Sequence, residues 1–274
     1  MKLCRRASEL AEYTGTVGFV PTMGALHEGH LSLVKACREA CDTTVVSIFV
    51  NPTQFNDPKD LESYPRTEAA DLELLEEAGV DFVFAPSVAE IYPEPDTRVF
   101  DFGGLDRVME GEHRPGHFNG VGQVVSRLFE IVRPHRAFFG EKDFQQLAII
   151  RHMVAQLELP IEITGCPIVR DRDGLARSSR NALLLPEHRA AAPHIYEVLS
   201  EAARSLRGAV SVAEAKRRIA EQIDANPLLK TEYVEIATAD TLQPATEWGD
   251  SSGDLRCFVA VQAGAVRLID NVAI

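Results

Sequence analysis

The chain has 274 residues, of which 45% are apolar and 25% are charged, a globular composition that excludes a fibrous or disordered protein. Lys and Arg number 28 and Asp and Glu number 41, so the formal net charge is -13. Because such a charge repels phosphate backbones and anionic lipid heads, we expect neither a nucleic-acid partner nor a membrane partner.

The sequence carries no pattern typical of insertion into a membrane or export across one. Its longest apolar stretches, such as 45–50, are too short to span a bilayer. The N-terminal sequence MKLCRRASELAEY alternates charged with apolar side chains and lacks a signal-peptide core. The five cysteines have no framework spacing, which favours reduced thiols. We therefore expect a cytoplasmic protein.

Strands and helices alternate along the first two-thirds of the sequence, a pattern typical of a parallel sheet with helices on both faces. The fold class is therefore predicted as α/β, with a Rossmann-like parallel sheet in an N-terminal domain that covers 1–168. The predicted strands are 17–20, 44–50, 81–85, 137–139 and 162–169. The predicted helices are 31–40, 68–78, 121–132 and 143–157.

The pattern changes near 166–170. A turn at Asp173-Gly174 is followed by two charged, alanine-rich helices and then by extended segments. We predict a smaller α+β domain over 169–274. Its predicted helices are 187–206 and 212–224, and its predicted strands are 232–237, 256–262 and 266–269.

The sequence PTMGALHEGH, residues 21–30, directly follows the first predicted strand and opens a helix. Gly24 and Gly29 remove side chains where a ligand must approach the backbone, while His27 and His30 are spaced to share one helix face. Free N–H groups at a helix N-terminus attract phosphate, which indicates a phosphate site. Two surface histidines, or a metal site without further ligands nearby, are the alternatives. The chain contains neither a P-loop nor a G-x-G-x-x-G sequence.

A second strand–glycine–helix pattern occurs in FGEKDFQQ, residues 139–146. Gly140 ends a predicted strand, and ligands bind at this edge of open α/β sheets. Lys142 would supply a point charge for phosphates, and Asp143 a helix cap or a ribose or metal-water contact. The alternative is an ordinary capped helix with a solvated lysine.

Two further clusters are less specific. In ARSSRNALL, two hydroxyls lie between Arg177 and Arg180, which suits a mobile loop around a polyphosphate or a surface loop with an ST-type turn. In FVNPTQF, Asn51 and Gln54 offer neutral amides at the sheet edge, although Asn-Pro also suits simple turn chemistry.

Three other groups of residues favour structural interpretations. Asp171 and Asp173 resemble a fragment of a calcium loop without its remaining ligands, so a hairpin turn is preferred. Cys37 and Cys41 share a helix face and are interpreted as apolar packing. The two histidines of HRPGHFNG indicate a loop at the edge of a substrate site more than a metal site.

Taken together, these sequences resemble the pantothenate synthetase family, the ATP-dependent pantoate–β-alanine ligases. PTMGALHEGH, VVSIFVNPTQF, YPRT, RPGHFNGV, FFGEKDFQQL and SSRN occur in the order of that family, and the resemblance runs from about Val17 to RLIDN near the C-terminus. The family belongs to the nucleotidyltransferase superfamily. Residues 27–30 resemble its HIGH signature, and 177–180 resemble its KMSKS-type loop. The resemblance implies that the domain over 169–274 closes over the ATP site of the first domain.

The resemblance implies a two-step reaction on the coenzyme A pathway. The carboxylate of (R)-pantoate attacks the α-phosphate of ATP, giving pantoyl adenylate and pyrophosphate. The amine of β-alanine then attacks the adenylate, releasing AMP and pantothenate. ATP would be a co-substrate with Mg2+ bound mainly through its phosphates rather than at a protein metal site, and the enzyme would be a homodimer.

The resemblance also implies roles for individual residues. The catalytic set would be His30, His27, Lys142 and Arg180. Gln54 and Gln146 would hold pantoate, with Gln54 also near β-alanine; neutral amides would leave the pantoate carboxylate nucleophilic. ATP contacts would come from Met23, Gly24, Ala25, Leu26, His27, Glu28, Gly29, His30, Gly140, Glu141, Lys142, Asp143, Val169, Arg177, Ser178, Ser179 and Arg180.

Two features depart from the family pattern. Arg177 stands where the family often has Met or Leu, and we expect its stem to cover the nucleotide while its charged head lies in water. The N-terminus is also short, because family members commonly have an extra strand and turn before the helix that we predict over 5–13.

Two rival functions fit parts of the pattern. A related adenylyltransferase would transfer AMP to a phosphorylated precursor and release pyrophosphate but never AMP. A tRNA-binding or regulatory relative would keep the fold without the chemistry, against which the acidic charge and the intact His27, His30 and Lys142 argue.

Overall fold

The structure, a computed structural model, describes residues 1–10, 13–249 and 254–274. These residues form two compact units. The first consists of Met1–Asp106, Glu110–Glu141 and Gln146–Pro167, and the second of Arg107–Met109, Lys142–Gln145 and Ile168–Ile274. The second unit thus includes two short segments that the sequence-based prediction assigned to the first domain.

The first unit contains a six-stranded sheet in which all neighbouring strands are parallel. Its strands are β1 (Lys2–Cys4), β2 (Val17–Thr22), β3 (Thr43–Ile48), β4 (Phe82–Phe84), β5 (Arg136–Gly140) and β6 (Glu162–Cys166), in the order β1-β4-β3-β2-β5-β6. From β2 the chain adds β3 and β4 on one side, and it then adds β5 and β6 on the other side. The strand order therefore reverses between β2 and β5. Ligands of open α/β sheets bind outside the carboxyl ends of strands at such a point.

The helices of this part of the chain are α1 (Glu28–Ala40), α2 (Pro58–Ser63), α3 (Glu68–Glu77), α4 (Val88–Ile91), α5 (Glu110–His113), α6 (His117–Val132) and α7 (Phe144–Gln156). Val20 and Val46 pack with residues of α1 and α3 in one buried cluster. Phe19, which directly precedes Val20 in β2, points to the opposite face, where it meets Phe129 of α6 edge to face. Helices therefore cover both faces of the sheet, which confirms the predicted α/β class.

The N-terminal strand differs from the prediction. β1 pairs with β4, with Lys2 opposite Phe82, so the sheet has an edge strand that the sequence analysis did not identify. The helix predicted over 5–13 is wrong for the described residues, where only Ala7–Glu9 forms a short 3-10 turn. The Glu9 carboxylate accepts the backbone N–H groups of Arg5 and Arg6, which caps this turn while Arg6 stays extended. Residues 11 and 12 of the prediction lie outside the described residues.

The second unit contains a three-stranded antiparallel sheet, β7 (Leu229–Thr238), β8 (Leu255–Ala263) and β9 (Val266–Ala273). Its helices are α8 (Pro186–Ala191), α9 (His194–Ser205) and α10 (Val212–Asp224). Apolar residues of α9 and α10 share one buried cluster with residues of the sheet. The single helix predicted over 187–206 is instead two helices, because Pro193 lacks the N–H that a continuous helix would need there.

No helix among the described ranges is both long enough and apolar enough to cross a membrane. The smaller α+β domain predicted from the sequence corresponds in class to this second unit.

Candidate functional site

The loop between β2 and α1 makes a sharp turn at two consecutive residues. Gly24 has φ +81 and Ala25 has φ +50, both in the left-handed region that favours glycine. The Gly24 N–H donates to Thr22 Oγ1 at 3.2 Å, and that hydroxyl donates to the Ser47 carbonyl of β3 at 2.7 Å. This turn places the N-terminus of α1 at the carboxyl end of β2.

A buried carboxylate of α3 holds the same loop. Asp71 is 1% exposed. Its Oδ2 accepts the Ala25 N–H at 2.9 Å, and its Oδ1 accepts the Leu26 N–H at 2.8 Å and the Thr67 hydroxyl at 3.1 Å. Asp71 could not be recognised from the sequence, because an acidic residue on an acidic helix resembles an ordinary solvated side chain.

His27 and His30 form one hydrogen-bonded pair at the start of α1. His27 is the N-cap, and its Nδ1 accepts the Gly29 N–H at 3.1 Å. The Nδ1 of His30 accepts the His27 N–H at 3.3 Å, and the ring centroids lie 4.1 Å apart. A backbone N–H can only donate, so each neutral ring carries its hydrogen on Nε2. The pair therefore presents two Nε2–H donors at a helix N-terminus, which is the chemistry of a phosphate site.

A metal site was the alternative interpretation of the two histidines. Among the residues that the structure describes, no group of three or more His, Cys, Asp or Glu side chains could hold a metal ion. The two histidines also differ from ordinary surface histidines, because they are half-buried and hydrogen-bonded to the start of α1.

Asn51 is the centre of a buried amide network beyond the end of β3. It is 1% exposed, and its Nδ2 donates to Gln54 Oε1 at 3.2 Å and to the Gly120 carbonyl at 3.1 Å. Its Oδ1 accepts the Tyr92 hydroxyl at 2.9 Å; burial raises the pKa of Tyr92, so this hydroxyl stays a donor. With Oε1 occupied by Asn51, Gln54 directs its Nε2 to Met23 Sδ at 3.2 Å. The turn chemistry expected for Asn-Pro is also present, since Asn51 caps the 3-10 turn Pro52–Gln54.

Helix α6 supports the Gln54 turn through its first residues. The buried His117 lies with Nδ1 2.8 Å from the Gln54 carbonyl, and Arg114 Nη1 lies 3.2 Å from His117 Nε2. Because a carbonyl oxygen only accepts and a guanidinium only donates, His117 is neutral with its hydrogen on Nδ1. The sequence indicated a loop at a substrate edge here, but His117 is a helical residue that fixes the backbone of Gln54.

Replacing Gly120 by alanine should disturb this turn. A Cβ at Gly120 would lie 2.5 Å from the Thr53 carbonyl oxygen and 2.8 Å from Gln54 Cα, and backbone atoms cannot rotate aside. We expect Gly120→Ala to lower stability by about 1–3 kcal/mol, as overpacking does. Thermal unfolding measures the effect. Gly249→Ala is the matched control, since its Cβ would meet nothing within 4 Å; equal behaviour of both variants would contradict the close approach.

The second predicted cluster lies at the end of β5. Gly140 is the last residue of that strand, Glu141–Asp143 forms a 3-10 turn, and α7 follows with Gln146 in its first turn. The Lys142 carbonyl accepts Asn271 Nδ2 at 3.1 Å. Its Nζ lies 3.8 Å from Asp143 Oδ1, beyond hydrogen-bond distance. Within the described residues the Lys142 ammonium donates no hydrogen bond, so its hydrogens remain available to an anion.

Two residues near the C-terminus fix the backbone of Lys142. Asp270 accepts both guanidinium ends of Arg170, at 2.5 and 2.8 Å, and also the Asn271 N–H at 2.8 Å. Asn271 then reaches the Lys142 carbonyl. Arg170 in turn lies over the Tyr196 ring at 3.6 Å from its centroid. The RLIDN sequence near the C-terminus thus supports Lys142, a role that the sequence analysis did not assign.

The ARSSRNALL sequence forms a compact turn in the second unit. The Arg177 N–H donates to the Val169 carbonyl at 2.9 Å, and Ser178 Oγ accepts the Arg180 N–H at 3.3 Å as the cap of the 3-10 turn Ser179–Leu183. Asn181 Nδ2 donates to the Ala176 carbonyl at 3.0 Å. The ST-type turn is therefore present, and it gives the two serines and Arg180 a defined conformation.

The guanidinium of Arg177 is partly exposed and forms an ion pair that was not predicted. Its Nε lies 2.5 Å from Asp171 Oδ1, and Asp171 Oδ2 also meets Arg189 at 3.0 Å. Arg189 Nη1 also donates to Asp173 Oδ2 at 2.7 Å, and this hydrogen bond holds the pKa of the Asp173 carboxyl below its usual value. The cause is the predicted hairpin turn: it is present, closed by pairing of residues 170 and 176, and it brings Asp171 beside Arg177.

Cys37 lies in α1, and Cys41 is the extended residue that follows this helix. Burial raises the pKa of Cys37 to about 12, and Cys37 and Cys41 both contact the core cluster beneath α1. Apolar packing is therefore the correct interpretation. All five cysteines are free thiols.

The predicted site residues thus form separate sets in each unit. In the first unit, Met23 contacts Gln54, and His27 contacts His30. In the second unit, Val169 is bonded to Arg177, and Ser178 to Arg180.

Comparison with known proteins identifies one family. The family model described as pantoate-beta-alanine ligase matches residues 2–273. Pantothenate synthetase of Porphyromonas gingivalis is 55% identical over 257 residues, which cover 94% of this chain and 91% of that protein. The enzyme of the same name from Bacteroides fragilis is 56% identical over 256 residues, covering 93% and 90%.

Two solved structures give the same result. The crystal structure of pantothenate synthetase from Thermus thermophilus is 46% identical, has a TM-score of 0.93 and covers 99% of both chains. Pantoate-beta-alanine ligase from Francisella tularensis is 34% identical, with a TM-score of 0.83 and coverage of 100% of this chain and 97% of that one. That protein was crystallised with beta-gamma ATP and beta-alanine.

Proposed function

The chain belongs to the pantoate-beta-alanine ligase family, and on that premise we propose how its own residues join pantoate to β-alanine with ATP. The observation that carries the proposal is the pair of Nε2–H donors of His27 and His30 at the N-terminus of α1, within the sequence that the family match covers. Donors at a helix N-terminus stabilise a phosphate on which charge develops.

The proposed reaction has two steps. An oxygen of the pantoate carboxylate attacks the α-phosphorus of ATP, the bond from that phosphorus to the bridging oxygen breaks, and pyrophosphate leaves with the electron pair. The amine of β-alanine then attacks the carbonyl carbon of the adenylate, AMP leaves, and the nitrogen loses a proton as the amide forms. The complex of the Francisella relative with an ATP analogue and beta-alanine supports these substrates.

We assign the charge-stabilising roles to four side chains. His27 and His30 donate from Nε2 to oxygens of the reacting phosphate, and Lys142 and Arg180 supply positive charge to the phosphates. Chemistry of this kind depends on positioning and on stabilising charge in the transition state. The remaining proposed ATP contacts are Met23–Gly29, Gly140, Glu141, Asp143, Val169, Arg177, Ser178 and Ser179.

The proposed pantoate contacts are two amides. Gln54 Oε1 accepts a hydrogen bond from Asn51, so Nε2 is the atom that can donate to a ligand. Its present contact is Met23 Sδ, which is a weak acceptor. Gln146 in the first turn of α7 is the second amide. Neutral donors orient a carboxylate without neutralising it, so its oxygen stays nucleophilic.

Several properties of the assembly are part of the same proposal. The substrate is MgATP, with the metal ion carried mainly on the phosphates. We further propose a homodimer that works in the cytoplasm, without nucleic acid or membrane, on the pathway to coenzyme A. The net charge of -13 supports the proposal that neither nucleic acid nor a membrane is a partner, because it repels phosphate backbones and anionic lipids.

Exchange of labelled pyrophosphate into ATP is the test of the function. With pantoate present and β-alanine absent, the enzyme should catalyse this exchange, and added β-alanine should cause AMP to accumulate. An adenylyltransferase that stops after the first transfer would release pyrophosphate but no AMP. A chain that keeps the fold for binding alone would show no exchange with pantoate.

Arg177→Met should change the KM for ATP by no more than about threefold, because partly exposed ion pairs contribute little. The guanidinium is already paired with Asp171, and Asp171 keeps Arg189 when Arg177 is replaced. Steady-state kinetics at two salt concentrations measure the effect. A rise of tenfold or more, about 1.4 kcal/mol, would show that Arg177 leaves Asp171 to contact phosphate.

A further inference from the structure

Asp71 is a buried carboxylate whose charge is compensated by N–H and O–H groups. It is 1% exposed, and among the described residues no Lys, Arg or His forms an ion pair with it. Its partners are the N–H groups of Ala25 and Leu26 and the hydroxyl of Thr67. A buried polar side chain without such partners is strongly disfavoured, so these three hydrogen bonds stabilise Asp71 in the interior.

The two N–H groups form a concavity that binds an anion. Successive backbone amides in a tight turn can point towards one centre, and the chain turns sharply at Gly24 and Ala25, whose φ angles are +81 and +50. Ala25 adopts it although a Cβ disfavours a positive φ. The anion in this concavity is the Asp71 carboxylate, so it is occupied by the protein's own side chain.

The concavity is connected to the histidine pair through a few bonds. Leu26 directly precedes His27, and the His27 N–H donates to His30 Nδ1. A change in the path of the backbone at Ala25 and Leu26 would therefore move both rings together. A displacement of about 1 Å of catalytic groups can lower a rate by about 10²-fold.

We propose that Asp71 is a positioning residue for adenylate formation, which it serves by holding the Ala25 and Leu26 amides so that His27 and His30 present their Nε2–H groups in one fixed direction. This proposal rests on the function proposed for the histidine pair. Asp71 acts through the loop backbone and does not contact substrate.

Asp71→Asn is the sharpest test, because it keeps the size of the side chain and removes one of its two acceptor atoms. The NH2 group then faces a backbone N–H. We expect kcat for pyrophosphate exchange to fall by about 10²-fold, with the KM for ATP within about threefold. Circular dichroism would establish that the variant is folded. The 15N shifts of the His27 and His30 rings, which report the tautomer, should also change.

Leu75→Ala is the matched control. Leu75 is fully buried on the same helix one turn further on, so its truncation weakens packing without removing a partner of the two amides. It should lower the melting temperature and leave kcat and the histidine shifts near those of the unchanged protein. Equal losses of kcat in both folded variants would overturn the proposal and make Asp71 merely structural.

Two further results decide the remaining cases. If Asp71→Asn does not fold, Thr67→Val removes one hydrogen bond to the carboxylate and should lower kcat by about threefold to tenfold, roughly the effect of one hydrogen bond; an unchanged kcat would overturn the proposal. If the unchanged protein shows no exchange, the proposed function fails. The histidine shifts then still test the positioning, and identical shifts in the unchanged protein and in the folded variant overturn it.

Discussion

Replacing His30 by alanine should lower the rate of pyrophosphate exchange by about 10² to 10³-fold, the loss typical of one donor to transition-state charge. The structure leaves Nε2–H as the donor, because Nδ1 accepts the His27 N–H at 3.3 Å. The ring is half-buried at the edge of the sheet, so its removal should leave the fold intact. Exchange kinetics and circular dichroism on the same preparation measure both points.

His30→Asn separates the two nitrogens of the ring. The Oδ1 of asparagine can accept the His27 N–H as Nδ1 does, but no atom replaces Nε2–H. We therefore expect this variant to be about as slow as His30→Ala while its thermal stability returns towards that of the unchanged protein. Recovery of the exchange rate in His30→Asn would show that the cap, and not the Nε2 donor, is what the reaction needs.

Lys142→Ala should also depress adenylate formation, by about 10²-fold or somewhat more. The Lys142 carbonyl is held by Asn271 Nδ2 at 3.1 Å, and this bond does not depend on the lysine side chain. The substitution therefore removes the ammonium and leaves the turn in place. The exchange rate and the KM for ATP would be measured at fixed salt concentration.

Lys35→Ala is the control for loss of one positive charge. Lys35 is exposed on α1 and pairs loosely with Glu39 at 3.9 Å, so its replacement should change neither the exchange rate nor the KM for ATP. A Lys142→Ala variant that behaves like Lys35→Ala would remove Lys142 from the mechanism.

The parallel sheet could be predicted because its central strands are short runs of mostly apolar or β-branched residues that alternate with helical patterns. The residues from Thr43 to Ser47 in β3 are all buried. Burial of consecutive residues is typical of a parallel strand that is covered on both faces. β1 could not be found in this way, since three residues with one buried side chain show no alternation. The break at Pro193 was predictable from the proline itself, yet the alanine-rich pattern on both sides favoured one helix.

The site could be predicted as far as its residues are close in sequence. The spacing of His27 and His30 was sufficient to place both at the start of α1, and the Asp173-Gly174 turn was correctly predicted. Contacts between residues distant in sequence were not predicted. Examples are the hydrogen bonds between Asp71 and Ala25 and between His117 and Gln54. The pairing of Arg177 with Asp171 could have been predicted, because a hairpin that pairs residues 170 and 176 makes positions 171 and 177 diagonal neighbours on one face.

The two sheets differ in how soon their strands can pair during synthesis. In the antiparallel sheet, β8 and β9 are joined by a tight turn at Gly264, whose φ is +63, so this hairpin can close as soon as it is made. β1 has no partner until β4 has been synthesised, since Lys2 pairs with Phe82. At about 5–20 residues per second, the first strand waits for several seconds with its hydrogen-bonding groups unpaired. An open strand of this kind is a template for other chains, and the short length of β1 limits that exposure on the ribosome.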